Sequence, residues 1–431
     1  MLSEDIFEIP SEWKWVALGD LCILLSRGKS PTYSDVKKYP VFAQKCNQPQ
    51  HLALEKALFL DEATLDKWPE YFKLRDADVV INSTGTGTVG RVGYFTSKSL
   101  DPKYKFIVPD SHVTVVRVGN NVISKYIYYV LRTKSIQTIM EKTFRGSTNQ
   151  KEFYIDSVYS IPIPLPPTEE QKEIVSILDE VYEQLDIIDT LQQQYESNLS
   201  VLKGKIIDAG IRGRLTMQLP EDGDANDLYS QILKQKSQLI KEGKIKKEKA
   251  LPDITQDEIP FEIPKNWKWV RWGELSEKIQ YGYNAPAKQT GRIKMVRISD
   301  IHDGKVQWDT VPYCDIEEKD ILDYLLRKDD VLFARTGGTV GKSYIVTEIP
   351  EDSIFAGYLI RTSYSSSICA SYMKYFMESA LYWKQLQSGT TATAQPNCNG
   401  KTLSKMIVPF PPYSEQRRIS NKIDELLEII S

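Results

Sequence analysis

The sequence is poor in the residues that build metal sites and disulfide frameworks. It has three histidines and five cysteines in 431 residues, and no two cysteines form a C-x-x-C pair. Zinc sites and disulfide-rich secreted folds need ligands at short, regular spacing. The scattered cysteines therefore predict reduced thiols in an intracellular protein and indicate no metal site in this chain.

Long apolar runs and an excess of positive charge are absent as well. No apolar stretch approaches the ~18 residues of a membrane span, and the N-terminal segment MLSEDIFEIP is acidic where a signal peptide would be basic and then apolar. We therefore expect a soluble, cytoplasmic protein without membrane contact. The formal net charge of −3 excludes a uniformly basic surface, so any nucleic-acid contact must come from local basic grooves.

What the sequence does contain is a duplication. EIPSEWKWVALGDL at 8–21 returns as EIPKNWKWVRWGEL at 262–275, LRDADVVINSTGTGTVGR from Leu74 as LRKDDVLFARTGGTVGK from Leu326, and PLPPTEEQKEIVSILDEV from Pro164 as PFPPYSEQRRISNKIDEL from Pro409. A period of about 250 residues is too long for solenoid or propeller units of roughly 20–50 residues. The duplicated unit is therefore a whole domain followed by a helix.

Each half has the pattern of an α+β domain, with short β-branched stretches such as 78–82 and 113–118 and helical stretches such as 124–140. We predict a first α+β domain at 1–163, a long helix at 164–215, a basic helix and linker at 216–261, a second α+β domain at 262–408 and a second helix at 409–431. The lysine-rich segment at 225–250 fits either a solvated helix face or an arm that touches phosphate.

The first of these helices carries the clearest periodicity in the chain. Thr168 and Gln171 are spaced as a capping box at its start. Apolar residues then recur at intervals of four and three, which is the a/d seam of a coiled coil, over a helix of roughly 40 residues. The seam that we predict for helix packing and subunit docking consists of Ile174, Leu178, Val181, Leu185, Ile188, Tyr195, Leu199, Leu202 and Ile206, and it restarts at Ile419, Ile423, Leu426 and Ile430.

Two motifs resemble catalytic signatures but are incomplete. TGGTVGKS at 336–343 has Thr336 where a phosphate-binding loop needs its first glycine, and the first-half copy lacks the Gly-Lys-Ser/Thr ending. FPPY at 410–413 lacks the asparagine of the N-P-P-Y motif of adenine methyltransferases. Because no nucleophile, base and orienting group can be discerned together, we predict that this chain has no catalytic residues.

The remaining polar loops suit DNA recognition, since Ser, Thr, Asn, Gln, Arg and free backbone amides contact phosphates and base edges. These loops recur at matching places in both halves while their side chains differ, which fits two readers of two different sequences. For any one residue, an ordinary polar surface loop is an equally good interpretation. The candidates are Lys29, Ser30, Asn82, Ser83, Thr84, Thr86, Thr88, Arg91, Arg145, Ser147, Thr148, Asn149, Gln150 and Lys151, and then Tyr281, Tyr283, Asn284, Arg335, Thr336, Thr339, Lys342, Ser388, Thr390, Thr391, Gln395 and Asn397.

With these motifs assembled, the chain resembles the specificity subunit of type I restriction–modification systems. The resemblance rests on W-K-W-V in each half, the T-G-x-V-G turns, the P-P-x-x-E-Q entry to each helix, and G-R-L at 213–215. It implies two target recognition domains in a pseudo-twofold arrangement, each reading half of a bipartite, asymmetric site in double-stranded DNA. It also implies docking, mainly through the helices, to two modification subunits that methylate adenine N6, together with restriction (motor) subunits. S-adenosylmethionine, magnesium and ATP are then expected in those partners, with no cofactor in this chain.

One departure from the family pattern leaves alternatives open. The sequence stops at Ser431, well before a second helix as long as the first would end. We expect the stretch from Leu191 to Ile206 to expose apolar surface unless a second chain or a modification subunit covers it, and therefore to favour self-association. An inactive scaffold or silent recombination donor fits the short second helix, and a specificity subunit of a related system with fused methyltransferase and nuclease fits the other motifs equally well.

Overall fold

The computed structural model describes residues 7–146, 151–302, 304–389 and 398–431. The chain divides into two compact units, Met1–Thr190 and Leu191–Ser431. The division falls inside the long helix, so each unit contains one end of that helix. The predicted α+β class is confirmed in both units.

Unit 1 is built from short strands and helices. Its strands are β1 (Lys14–Ala17), β2 (Cys22–Arg27), β3 (Pro40–Phe42), β4 (Leu58–Phe59), β5 (Val79–Asn82), β6 (Val92–Tyr94), β7 (Val108–Pro109), β8 (Val113–Val118) and β9 (Pro162–Leu165). Its helices are α1 (Ser124–Arg132), α2 (Lys134–Thr143), α3 (Ile155–Tyr159) and the start of α4 (Thr168–Ile211).

A four-stranded antiparallel sheet, in the order β2-β8-β5-β6, lies at the centre of unit 1. Alternation along β5 sends Val79 and Ile81 to one face and Val80 to the other. The first two pack in the core that α1 and α2 cover, whereas Val80 packs with Phe42 of the smaller sheet β4-β3-β7. The central sheet is therefore buried on both faces, which is why β5 reads as a continuous apolar run.

Unit 2 repeats this plan after the end of α4 and a further helix, α5 (Ala225–Lys241). Its strands are β10 (Lys268–Arg271), β11 (Ser276–Tyr281), β12 (Ile293–Val296), β13 (Ile301–His302), β14 (Lys305–Val306), β15 (Tyr313–Cys314), β16 (Val331–Ala334), β17 (Ser343–Ile345), β18 (Ser353–Phe355), β19 (Leu359–Tyr364) and β20 (Ile407–Phe410). Its other helices are α6 (Trp272–Leu275), α7 (Glu318–Tyr324), α8 (Ala370–Phe376), α9 (Ala380–Gly389), α10 (Gly400–Lys405) and α11 (Tyr413–Ile429).

The sheet order β11-β19-β16-β17 matches that of unit 1, and β15-β12-β18 matches its smaller sheet. Val331 and Phe333 of β16 pack beneath α8 and α9, and Leu332 packs on the opposite face with Phe355. The duplication found in the sequence is therefore a duplication of topology and of core alternation.

The repeated sequence motifs contact one another within each unit. In unit 1 the Trp13 indole donates a hydrogen bond to Glu170 at 3.0 Å, and in unit 2 Trp267 donates to Glu415 at 2.8 Å. Strand β1 also pairs with β9, and β10 with β20, in antiparallel register. The W-K-W-V and P-P-x-x-E-Q motifs recur together because they form the two sides of one junction between domain and helix.

The glutamine of the same motif serves a neighbouring helix. The Gln171 side chain accepts from the backbone N–H of Ile123, just before α1, and donates to the Pro166 carbonyl at the entry to α4. Gln416 makes the same two contacts, with Cys369 before α8 and with Pro411. The predicted capping box at the start of α4 is therefore wrong. Gln171 instead satisfies an orphan N–H of α1, an end that lacks an N-cap side chain.

The L-R-x-x-D motif forms a buried ionic turn before the central strand. Asp78 accepts from the Arg75 N–H and pairs with Arg117 at 2.7 Å, and Asp330 accepts from the Arg327 N–H. In unit 2 the arginine that pairs with this aspartate is Arg361, and its guanidinium lies 3.1 Å from the Asp330 carboxylate. The residue before each of these aspartates has a positive φ. It is an alanine with φ 68° before Asp78 and another aspartate with φ 70° before Asp330.

The long helix is confirmed over 44 residues, Thr168–Ile211. Near its end Gly210 lies so close to Ile419 and Ile423 of α11 that an added Cβ would meet their side chains at 3.0 and 2.9 Å. Ile419 and Ile423 are therefore buried against α4 within unit 2, whereas the other two predicted seam residues, Leu426 and Ile430, are half-buried. Much of the α4 seam itself is exposed, at Val181, Leu185, Ile188, Tyr195 and Leu202, while Ile174, Leu178, Leu199 and Ile206 are half-buried.

Candidate nucleic-acid interface

Three of the loops predicted to contact DNA converge at one edge of unit 1. Lys29, just after β2, forms a backbone bridge to Asp110, and both Thr84 and Arg145 form bridges to Glu152. The backbone N–H of Ser83 also donates to the His112 carbonyl. Segments 28–30, 82–91 and 110–112 therefore meet residues 145 and 152 at one continuous edge, which sequence spacing alone could not show.

A glycine makes this convergence possible. The chain passes over residues 109–110 so closely that a Cβ on Gly28 would lie 2.1 Å from the Asp110 carbonyl oxygen. In unit 2, a Cβ on Gly282 would lie 2.2 Å from the Ala356 carbonyl oxygen. Glycine lets two backbones approach in this way because it has no side chain.

Polar and cationic groups face solvent at the unit 1 edge. The Thr84 hydroxyl bonds with His112 Nδ1 at 2.7 Å, and the Arg145 guanidinium stacks on the Tyr154 ring with 5.4 Å to its centroid. Lys29 and Ser30 are exposed, and the Lys29 ammonium lies 4.9 Å from the Phe72 ring centroid. Hydroxyl, imidazole and guanidinium groups of this kind suit contacts with phosphates and base edges.

Four further residues lie at this edge and were not predicted from the sequence: Arg27, Ser111, His112 and Glu152. The Arg27 side chain forms an ion pair with Glu152 and donates through Nε to the Ser111 carbonyl at 3.1 Å. The hydrogen bond from Arg27 holds the pKa of the Glu152 carboxyl below its usual range. Aligning the halves on the shared glycine, R-G-K-S-P against Y-G-Y-N-A-P, would have drawn attention to Arg27 and its counterpart Tyr281.

Two other predicted residues of unit 1, Asn82 and Ser83, lie beneath the surface and support the loop. Asn82 is fully buried, donates to the Gln44 carbonyl and accepts from the Asn47 side chain. Ser83 is also buried, with its hydroxyl 2.5 Å from that of Thr114. The guanidinium of Arg91, which is also a predicted DNA-binding residue, donates to the Asn47 carbonyl at 2.9 Å. Thr86 and Lys151 are exposed, and Thr88 is half-buried.

The equivalent edge of unit 2 carries different chemistry on the same backbone. Tyr283 bridges to Ala356, the Arg335 N–H donates to the Tyr358 carbonyl, and the Cys398 N–H donates to the Arg335 carbonyl. The matched pairs that differ are Arg27 and Tyr281, Lys29 and Tyr283, Ser30 and Asn284, Ser83 and Arg335, and His112 and Tyr358.

Most of the other predicted residues of unit 2 border this edge. Thr336 and Thr339 line a cavity of about 430 Å³ together with Tyr358, and Lys342 and Asn284 are exposed. The exception is Ser388, whose hydroxyl donates to carbonyls within the last turn of α9. The predicted residues Ser147, Thr148, Asn149, Gln150, Thr390, Thr391, Gln395 and Asn397 lie outside the described part of the chain.

The lysine-rich helix α5 is partly structural. Lys236 donates to the Gly273 and Ser276 carbonyls at 2.6 and 2.7 Å, and burial lowers its pKa. This lysine therefore fits neither of the two sequence interpretations of the segment. Within the described ranges, no cluster of His, Cys, Asp or Glu could hold a metal ion, and no helix is long and apolar enough to cross a membrane.

Comparison with known proteins finds relatives over nearly the whole chain. A model of the type I restriction modification DNA specificity domain matches residues 10–197 and 264–431. The specificity subunit of the Escherichia coli type I restriction enzyme EcoAI is 24% identical over 99% of this chain and 79% of its own length. That of MjaVIII from Methanocaldococcus jannaschii is 22% identical over 98% of this chain and 88% of its own length.

Two solved structures share the fold, each at 17% sequence identity. One is a chain from work on complex assembly and conformational transition of the type I R-M system, with a TM-score of 0.66 over 99% of this chain and 92% of that chain. The other is the HsdS subunit from Thermoanaerobacter tengcongensis, with a TM-score of 0.52 over 98% of this chain and 91% of that chain.

Proposed function

Because this chain belongs to the type I restriction modification DNA specificity family, we propose that it is a specificity subunit in which each unit reads one half of a bipartite, asymmetric DNA site. The observation that carries the proposal is the pair of equivalent loop edges, identical in backbone plan and different in side chains. A preserved frame with exchanged side chains is what two readers of unlike sequences require, since base edges are read by side-chain donors and acceptors.

The chain recognises DNA and leaves catalysis to its partners. In this proposal it recruits two modification subunits that transfer a methyl group from S-adenosylmethionine to adenine N6, and restriction subunits that use ATP and magnesium. The apolar residues exposed along α4, such as Leu185, Ile188 and Leu191, support docking through this helix, because contiguous exposed apolar residues mark interaction surfaces.

The test is to express the chain with its methyltransferase partner in a host without adenine methylation and to map modified adenines by long-read sequencing. A split, asymmetric motif is expected, and it should vanish when this chain is omitted. Methylation of one continuous motif would refute the two-reader proposal. A soluble assembled complex that leaves the genome unmodified would instead favour an inactive scaffold or donor copy.

The exposed seam also supports self-association of the isolated chain. Val181, Leu185, Ile188 and Tyr195 are 48, 47, 55 and 62% exposed. Covering this stripe with a second copy or with a modification subunit would remove the same apolar surface from water. We therefore propose that partner binding and self-association compete for α4, which addition of the modification subunit to a dimeric preparation would test.

A further inference from the structure

Arg335 places a cationic side chain at the unit 2 edge, where its counterpart in unit 1 places none. In unit 1 the matched residue is the buried Ser83, and the nearby cation, Arg27, is neutralised by Glu152. In the described part of unit 2, no carboxylate forms an ion pair with Arg335. Its guanidinium instead lies over the Tyr281 ring, 4.7 Å from the centroid.

The stack is fixed from both sides. The Arg335 backbone is pinned between the Tyr358 carbonyl, at 3.1 Å, and the Cys398 N–H, at 3.0 Å. The Tyr281 hydroxyl accepts a hydrogen bond from the Gly400 N–H at the start of α10, at 3.1 Å. Both the ring and the base of the arginine side chain are therefore anchored by backbone groups of neighbouring segments, so that little conformational freedom is left to lose on binding.

The Arg335 Nε is buried and has no hydrogen-bond partner among the residues that the structure describes. Because the side chain is only half-buried and Nε is enclosed, we expect the two terminal nitrogens to make the contact with a ligand. Two parallel N–H donors match two acceptors on one rigid edge, and in the DNA major groove that pair is O6 and N7 of guanine. Adenine offers a donor at position 6, and neither pyrimidine offers two acceptors.

We propose that Arg335, oriented by Tyr281, reads a guanine in the half of the DNA site that unit 2 recognises. This inference rests on the proposed function and adds to it one base and one residue. Arg335 makes the base contact, and Tyr281 acts through it as a positioning residue. The specificity of unit 2 at this base pair then comes from a preorganised fork rather than from net positive charge.

The first experiment repeats the methylation map with Arg335→Ala, Arg335→Lys and the control Lys342→Ala. Lys342 is exposed on the same turn. The wild-type map must contain a G·C pair in one half-site. Arg335→Ala and Arg335→Lys should relax that pair alone, by about 5- to 150-fold in discrimination, because lysine keeps the charge but lacks the fork. Lys342→Ala should lower methylation uniformly and leave the motif intact.

A binding measurement tests the contact atom and does not depend on catalysis. Duplexes carry 7-deazaguanine, which lacks the N7 acceptor, at each guanine of the half-site in turn, and affinity is measured by fluorescence anisotropy with the assembled complex. Wild type should lose roughly 2- to 10-fold at one position, the worth of one hydrogen bond. Arg335→Ala should lose nothing further there, and Tyr281→Leu should weaken the same position through loss of the stack.

The outcomes distinguish a failure of the guanine assignment from a failure of the proposed function. If wild type produces no sequence-specific methylation, the proposed function fails. If wild type methylates a split motif but the Arg335 variants keep every base preference, or relax both halves equally, the guanine assignment is overturned while the proposed function stands. The guanine assignment is also overturned if 7-deazaguanine weakens binding by Arg335→Ala as much as it weakens binding by wild type. This comparison holds even for a variant with reduced stability, because the ratio of the two duplex affinities is measured within one protein.

Discussion

Substituting alanine for Gly28 or Gly282 tests the convergence of loops on which the recognition surface depends. Each glycine crosses another segment of its own unit at the edge where the candidate DNA-binding residues meet. The new Cβ would lie 2.1 Å from the Asp110 carbonyl oxygen in one unit and 2.2 Å from the Ala356 carbonyl oxygen in the other. Both obstacles are backbone atoms, which cannot rotate away as a side chain would.

The expected cost follows from this geometry. A carbon–oxygen contact needs about 3.3 Å, so the crossing segments must separate by roughly 1 Å. Overpacking of this kind costs about 1–3 kcal/mol, and we expect the upper half of that range because the backbone must move. In a unit of this size, about 1 kcal/mol lowers Tm by roughly 2–4 °C, so a fall of about 4–12 °C is expected in the affected unit.

The assay combines differential scanning calorimetry with the methylation map. Gly28→Ala should destabilise unit 1 and impair one half of the DNA motif, and Gly282→Ala should do the same for unit 2 and the other half. Gly338→Ala is the matched control, because a Cβ there meets nothing within 4 Å. It should change stability by less than about 0.5 kcal/mol.

Tight backbone crossings are ruled out if Gly28→Ala and Gly282→Ala behave like Gly338→Ala in both assays. The prediction would also fail if either alanine variant weakened both halves of the motif equally. In the first case the crossings would not be as tight as described. In the second, the two units would not read DNA independently.

Four further outcomes are expected. Arg271→Ala should lower the stability of unit 2 by about 3 kcal/mol in denaturant titration, because this buried side chain binds the carbonyls of residues 252, 253 and 405 as well as Glu258. The hydrogen bond from Arg271 lowers the pKa of the Glu258 carboxyl from 4.5 to about 2. The contribution of this carboxylate to folding stability is therefore complete above pH 4.5 and is lost as the pH falls toward 2. Glu258→Gln should flatten the dependence of stability on pH over this range, as measured by unfolding at a series of pH values. Gly204→Ala, inside α4, should raise helix stability by about 0.5–1 kcal/mol in the same titration. Light scattering should show self-association at micromolar concentration that Leu191→Lys with Tyr195→Lys abolishes, and a monomeric wild-type chain would contradict the exposed-seam prediction.

Much of the architecture could be predicted because repetition reveals which residues act together. The echoes at Trp13 and Trp267 and at Glu170 and Glu415 marked the duplicated domain–helix unit before any contact was known. The period of the α4 seam likewise predicted a helix of nearly the observed length, since a heptad pattern is local in sequence. The capping box at Thr168 was wrong because Gln171 has a tertiary partner, the N–H of Ile123, that outcompetes the local bond.

The recognition surface could be predicted only in part. Glycine turns and polar loops pointed to segments near Lys29, Thr84 and Arg335, but spacing along the chain does not say which loops meet. Asn82 and Ser83 lie in the right loop yet face inward. Arg27 and His112 were missed because each is an ordinary polar residue until strand pairing brings it to the edge.

By itself, the sequence determined the duplication, the α+β class of each half, the long helix and the family, because repeats, periodicity and motif spacing are properties of the chain in one dimension. The tertiary structure alone decided which residues share an edge, and that the charge of Arg27 is neutralised by a carboxylate while Arg335 stacks on a tyrosine ring. Those properties depend on contacts between segments far apart in sequence, such as Arg27 with Glu152 and Arg335 with Tyr281. Their physical origin is strand register and close backbone crossing, which bring distant residues within hydrogen-bonding distance.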